Sequence, residues 1–94
     1  MSAYIIARIN VTDAEDYKNY AGQTVALAEK FGGKFLVKGG AQTQLEGNGP
    51  DRHVLIEFPD RETALEWYNS DAYRRILPIA ISSSDRDIVV VDGL

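Results

Sequence analysis

The 94-residue sequence has no cysteine, which removes disulfides, thiol nucleophiles, Cys-ligated zinc and iron–sulfur clusters together. Histidine, tryptophan and methionine occur once each and proline three times, so imidazole chemistry, if used, falls on His53 alone. No apolar run approaches the roughly 18 residues needed to cross a bilayer, and the opening MSAYIIARIN lacks a basic segment ahead of a long apolar one. The expectation is a cytoplasmic chain with no membrane partner. Ten basic residues stand against fourteen acidic ones, a net charge of −4, and an acidic chain is repelled by phosphate backbones, so nucleic acid is not an expected partner. No GxGxxG or P-loop string follows an apolar run, and Gly39-Gly40 alone is too common to mark a nucleotide cradle.

The composition that remains, 45% hydrophobic and 26% charged, is that of an ordinary globular chain, and the length suits one domain over 1–94. Ala3 to Ile9 reads as a strand with Ala3, Ile5, Ala7 and Ile9 on one face and Tyr4, Ile6, Arg8 and Asn10 on the other. Thr12 and Glu15 match a capping box. Tyr17, Tyr20, Ala21, Thr24, Leu27, Ala28 and Phe31 then form one stripe of a helix that Gly32-Gly33 should end.

Lys34 to Lys38 alternates, Phe35 and Val37 against Lys34, Leu36 and Lys38, as an edge strand does. Residues 39–51 are a glycine-punctuated connection with a short extended piece expected at Gln42–Glu46. His53 to Phe58 is a third strand, Val54, Ile56 and Phe58 facing one way and His53, Leu55 and Glu57 the other. Pro59-Asp60 opens a second helix with Ala64, Leu65, Trp67 and Tyr68 on its apolar side. Ser70-Asp71 gives a fresh cap for a piece carrying Ala72, Tyr73, Ile76 and Leu77, which Pro78 should end or kink. Ser82, Ser83 and Ser84 read as loop, and DIVVVDG closes the chain as a fourth strand.

The order βαββαβ predicts an α+β, ferredoxin-like sandwich, with both crossover helices on one face of a four-stranded antiparallel sheet. The opposite face then carries Tyr4, Ile6, Leu36, Leu55 and one alternating set from Ile88 to Val91. Apolar area is worth about 25 cal/mol per Å² when buried, and the simplest cover for so small a chain is a second copy about a two-fold axis. A homodimer is therefore expected.

Several strings add to this pattern: Gly39-Gly40, Leu45-Glu46-Gly47, Ile56-Glu57-Phe58-Pro59, Ala64, Trp67-Tyr68, Ser70, Tyr73 and Val91-Asp92-Gly93. Together they resemble domain-of-unknown-function family 1330, within the dimeric α+β-barrel superfamily, over nearly the whole chain. The resemblance implies ferredoxin-like protomers that pair sheet to sheet as a dimeric α+β barrel. Two positions depart from the family pattern: Ala80 stands where an arginine is usual, and Asp92 where glutamate is. The guanidinium that would clamp an anion is thus not inherited at position 80. The superfamily includes cofactor-independent monooxygenases, lactone isomerases, haem-dependent enzymes and proteins without known activity, so the resemblance implies a fold and not a reaction.

Among the candidate site residues, His53 is the one group that titrates near neutrality and so a candidate general base, although its place beside Arg52 at a strand start equally suits an exposed side chain. Glu57, on an apolar strand, is either a desolvated proton carrier or the ion-pair partner of Arg8, which is itself a candidate ligand-binding residue. His53 and Glu57 lie about 13 Å apart along a strand and cannot share a metal ion within one protomer; no metal or cofactor is expected. Tyr20, Trp67, Tyr68 and Tyr73 either fill the core or wall a pocket between sheet and helices, and Ser70 is a cap rather than a nucleophile. The leading expectation is a homodimer that binds a small, partly apolar molecule in that pocket, with cofactor-independent proton transfer by Glu57, His53 or a tyrosine as its enzymatic version. The alternative is a non-catalytic binding or interaction protein. A polar-lipped cavity separates the first from the second, which should be filled to close-packed density.

Overall fold

The inward residues of β1 (Ala3–Val11) alternate strictly, Ala3, Ile5, Ala7 and Ile9 being buried while their neighbours are partly or fully exposed. This period of two sets the whole architecture. The computed structural model describes residues 1–94. It continues with α1 (Ala14–Glu29), β2 (Lys34–Lys38), β3 (Arg52–Phe58), α2 (Arg61–Asn69), α3 (Asp71–Ser83) and β4 (Ser84–Asp92). The four strands form one antiparallel sheet in the order β2-β3-β1-β4, the α+β ferredoxin-like fold expected from the strand and helix order. No helix is long and apolar enough to cross a membrane.

The cap of α1 differs from the expected Thr12–Glu15 box. Thr12 N–H donates to the Ser83 carbonyl at 2.8 Å, so the donor that Glu15 would have satisfied is already taken. The strand runs two residues beyond Ile9, and the Asp13 carboxylate caps the helix by accepting from Asp16 N–H at 3.2 Å. At the other end Gly32 takes φ +78°, the left-handed turn that stops the helix. Gly33 passes so close to Phe58 that a Cβ there would sit 2.8 Å from its ring.

β2 also departs from simple alternation. Phe35 pairs with Ile56, but Val37 pairs with Leu55 and Lys38 with Val54, leaving Leu36 as the extra residue of a bulge. Val37 therefore faces outward with Leu55, and Lys38 turns to the inner side. The expected extended piece at Gln42–Glu46 does not form; with no strand to pair against, side-chain amides hold this loop, as when Gln42 Nε2 donates to the Pro50 carbonyl at 3.0 Å.

Asp60 caps α2 through Thr63 N–H at 2.7 Å, and Ser70 Oγ caps α3 through Tyr73 N–H at 3.2 Å. Pro78 neither ends nor breaks α3, which continues to Ser83. One backbone hydrogen bond is lost there, while Tyr73, Ile76, Leu77 and Ala80 of the same helix are buried, and that burial holds the segment helical. The expected serine loop is absent for a related reason. Ser83 Oγ and Ser84 Oγ donate to the carbonyls of Ile79 and Ala80 at 2.5 and 2.6 Å, satisfying last-turn acceptors.

The core lies between the sheet's inner face and the helices, where Ile5, Ile9, Ile56 and Phe58 meet Tyr20, Trp67, Tyr73 and Leu77. The outer face has no covering element. Register places Tyr4 beside Val91, Ile6 between Val89 and Leu55, and Val37 beside Leu55; Val89 and Val91 are 52% and 44% exposed.

Candidate functional site

Helix α1 and the inner face of the sheet enclose a cleft of about 20 Å³, room for about one water-sized group. Its floor is apolar, from Ile5, Ala7, Val54 and Ile56, and its rim is not. Tyr20, from the buried stripe of α1, and Arg86, from β4 where it stands opposite Ile9 and so faces inward, line the cleft, and Tyr73, fully buried in the first turn of α3, stands behind them. The two phenol oxygens are 2.7 Å apart. Arg86 donates from Nη1 to Tyr20 at 3.1 Å and from Nη2 to Tyr73 at 3.0 Å, with its guanidinium carbon 5.1 Å from the Tyr20 ring centre.

Counting protons gives this cluster its chemical character. Two phenols bring two O–H groups; one lies in the bond between them, and Arg86 is a donor only, so one phenolic proton has no acceptor among the three side chains. Burial raises the Tyr20 pKa above the ordinary phenol value; the neighbouring Tyr73 adds to the rise and Arg86 opposes it. Burial acts against the charge on Arg86, but the two phenol oxygens outweigh it and hold its pKa above the usual value. At neutral pH the cluster thus holds a guanidinium cation beside the protonated Tyr20 phenol. It can donate hydrogen bonds to developing negative charge but cannot serve as a proton-abstracting base.

Three further donors belong to the cleft lining. Trp67 is 1% exposed, and its indole N–H is buried with no partner. Its ring centre lies 4.4 Å from that of Tyr73. Arg52, at the start of β3, lies over the Tyr17 ring at 5.5 Å, and its Nε is buried without a partner. The guanidinium occupies space that a Cβ on Gly39 would overlap, and Gly39 has φ +67°, so glycine is needed there on both counts. Lys38, delivered to the rim by the bulge, reaches the Ala21 carbonyl at 3.4 Å. Lys38, Arg52 and Arg86 line the cleft, and no Asp or Glu does.

The residues singled out in the sequence divide between two faces. Tyr20 and Tyr73 meet, and Trp67 lines the same cleft. Tyr68 stacks on Tyr73 at 5.3 Å and carries Arg74 over its ring at 4.7 Å; it lines a separate apolar groove with Leu65 and Ile88 beside β4. Arg8, His53 and Glu57 lie on the outer face. His53 Nδ1 is hydrogen-bonded to Gln42 Oε1 at 2.6 Å, and Glu57 accepts from the Tyr4 hydroxyl at 3.2 Å. The expected Arg8–Glu57 ion pair does not form. β1 and β3 are neighbours, but their register sets Tyr4 against Glu57 and Arg8 against His53, leaving the two charges about 13 Å apart along the sheet. The ion pair that does form is Arg61 with Asp92, at 2.7 and 3.1 Å.

Arg86, Arg52 and Lys38 are the site residues that sequence reasoning missed. Arg86 had a signal: continuing the alternation of Ile88 and Val90 back along the strand puts this cation on the apolar face. The sequence carries no comparable mark for Lys38, whose direction depends on the bulge.

No protein of curated function matches the chain. Solved structures do. A dimeric ferredoxin-like protein of unknown function from Jannaschia sp. CCS1 is similar at a TM-score of 0.81 and 11% identity, covering 99% of this chain and 100% of that one. RPA0582, a protein of unknown function from Rhodopseudomonas palustris, is similar at 0.80 and 18% identity, covering 99% and 82%. SnoaB, a cofactor-independent oxygenase from Streptomyces nogalater, is similar at 0.66 and 11% identity, covering 99% and 93%. At these identities the likeness shows the fold alone. Residues 2–94 match the family described as Domain of unknown function (DUF1330), and the chain belongs to it.

Proposed function

We propose that this member of the DUF1330 family is a homodimeric small-molecule-binding protein, whose ligand enters the cleft beneath α1 and meets the Arg86–Tyr20–Tyr73 cluster. The observation that carries this reading is the cluster itself. A guanidinium and two phenols are drawn into an apolar core and hydrogen-bonded to one another, with one phenolic proton left over. Buried polar groups cost free energy unless fully satisfied, so a ligand acceptor at this wall completes the set. Any chemistry performed here draws on oxyanion stabilisation by these donors. His53 and Glu57 open on the outer face, away from this cleft, and belong with the dimer contact. Exposed Val89 and Val91 beside Ile6 and Tyr4 support pairing through that face, as does the description of the Jannaschia neighbour as dimeric.

One observation favours the alternative, a pairing protein without a ligand: the cleft holds only about 20 Å³. Screening small molecules for a raised melting temperature and an altered emission of Trp67, the one tryptophan, separates the two. Binders are expected to act on the wild type and to lose their effect in Arg86→Gln. A library that moves neither signal, or moves both proteins equally, overturns the ligand reading. Sedimentation at micromolar concentration is expected to show a dimer, and a stable monomer removes the pairing.

A further inference from the structure

We infer that the ligand of this cleft is a small organic carboxylate with a short apolar body, its charged end held by Arg86 and its entry guided by Arg52 and Lys38. The inference rests on the proposed ligand cleft and assigns the class of molecule that fills it. Charge distribution is the first support. The chain is acidic overall, fourteen against ten, yet the cleft lining holds three cations and no carboxylate. The ion pair present in the fold, Arg61 with Asp92, lies elsewhere, so none of the three cations is neutralised within the protomer. A cationic concavity with low-dielectric walls concentrates anions even on a protein of the opposite net charge.

Hydrogen-bond demand is the second and independent support. The buried side-chain atoms without a partner are Arg52 Nε and Trp67 Nε1, both donors on residues of the cleft lining. The surplus phenolic proton of the Tyr20–Tyr73 pair makes a third unmet donor. A lining with donors in surplus suits an occupant rich in acceptors, and an ionised carboxylate offers about four lone-pair sites and no donor. An amine or ammonium group would add donors and positive charge where both are already in excess. The apolar floor, with eleven of fifteen lining residues hydrophobic, calls for a hydrocarbon body behind the charge and disfavours a bare inorganic anion, and a volume of about 20 Å³ limits the part of that body that enters to about one methyl-sized group.

The decisive experiment compares isosteres on the full chain. Sodium propionate, butyrate and benzoate are titrated against propionamide, butyramide and benzamide, with sodium chloride added to the amide samples to equalise ionic strength, and Trp67 emission and melting temperature are read. At least one acid is expected to give saturable changes, with its amide at least tenfold weaker. Arg86→Gln is expected to abolish the response and Lys38→Gln, on the exposed rim, to weaken it severalfold while remaining folded. Amides that bind as well as acids overturn the carboxylate assignment and leave the ligand cleft standing. Amide samples that respond only through their added chloride overturn it as well, in favour of an inorganic anion. A protein on which neither acids nor amides produce any saturable change refutes the inference, and the broader screen above then decides the cleft reading separately. Unchanged acid binding in Lys38→Gln removes the rim from the assignment even if Arg86→Gln fails to fold.

Discussion

On the inner face of the sheet the polar cluster finds its partners inside the fold, whereas on the outer face polar side chains find them across a strand and beside water. Arg86, Tyr20 and Tyr73 illustrate the first case, joined by three hydrogen bonds within the core. Glu57 with Tyr4, and His53 with Gln42, illustrate the second. The same strands supply both faces, and one residue of offset decides which environment a group receives. The contrast teaches that residue type alone misdirects the search for a site: the imidazole and the carboxylate point outward, and three cations that look like surface residues gather inward.

The contrast is broken most directly by truncating neighbours in β3. Ile56→Ala, on the buried face, is expected to cost about 2–5 kcal/mol in urea unfolding. Leu55→Ala, half-buried on the other face, should cost roughly 1 kcal/mol in a dilute monomer, and more at concentrations where the proposed dimer forms. Equal, concentration-independent losses would erase the distinction.

Removing one hydroxyl from each face is the next test. Tyr73→Phe removes two of the three hydrogen bonds, leaving Arg86 and Tyr20 only each other as partners, and should cost about 1–3 kcal/mol. Tyr4→Phe frees Glu57 to water and should stay within about 0.5 kcal/mol of wild type. The inner cluster also predicts a pH dependence. Tyr20 has a raised folded pKa, so its stabilising share is intact below the ordinary phenol value of about 10 and is lost as pH rises beyond it. Alkaline melting curves should therefore fall more steeply for wild type than for Tyr20→Phe.

A smaller effect is expected at the rim. Gly39→Ala forces a left-handed backbone on alanine, about 1–2 kcal/mol, and displaces the Arg52 guanidinium. Gly40→Ala, with open space around it, is the matched control and should change melting little. Smallest of all is Asp92→Asn on the exposed Arg61 pair. The Arg61 hydrogen bond holds the Asp92 carboxyl below its usual range, so the pair's contribution is present above that range and disappears as pH falls through the lowered value. Melting of the variant and wild type should converge in acid.

Much of the fold is legible in the sequence because burial imposes a strict period. Ala3, Ile5, Ala7 and Ile9, or Val54, Ile56 and Phe58, cannot shift by one without moving their whole set into water. Asp60 and Ser70 announce their caps because each has one local job to do. The misreadings arise where a distant partner decides. Thr12 loses its box because Ser83, seventy-one residues on, claims its N–H. Pro78 stays helical because tertiary burial outweighs a local penalty. Of the site, the aromatic half is readable from its helical spacing and the cationic half only in part: Arg86 and Arg52 continue the inward alternation of their strands, whereas Lys38 reaches the cleft through a bulge that only strand pairing defines.

The extra residue Leu36 carries one more consequence. It is the place in β2 where chain length and ladder register are uncoupled, so excising it would leave Val37 opposite Leu55 and Lys38 opposite Val54, as they are now. Regularising the strand with Leu36 retained would instead turn its C-terminal half inside out, planting a valine at the rim and casting the ammonium group to the far side. A single backbone irregularity thus sets the polarity of the doorway.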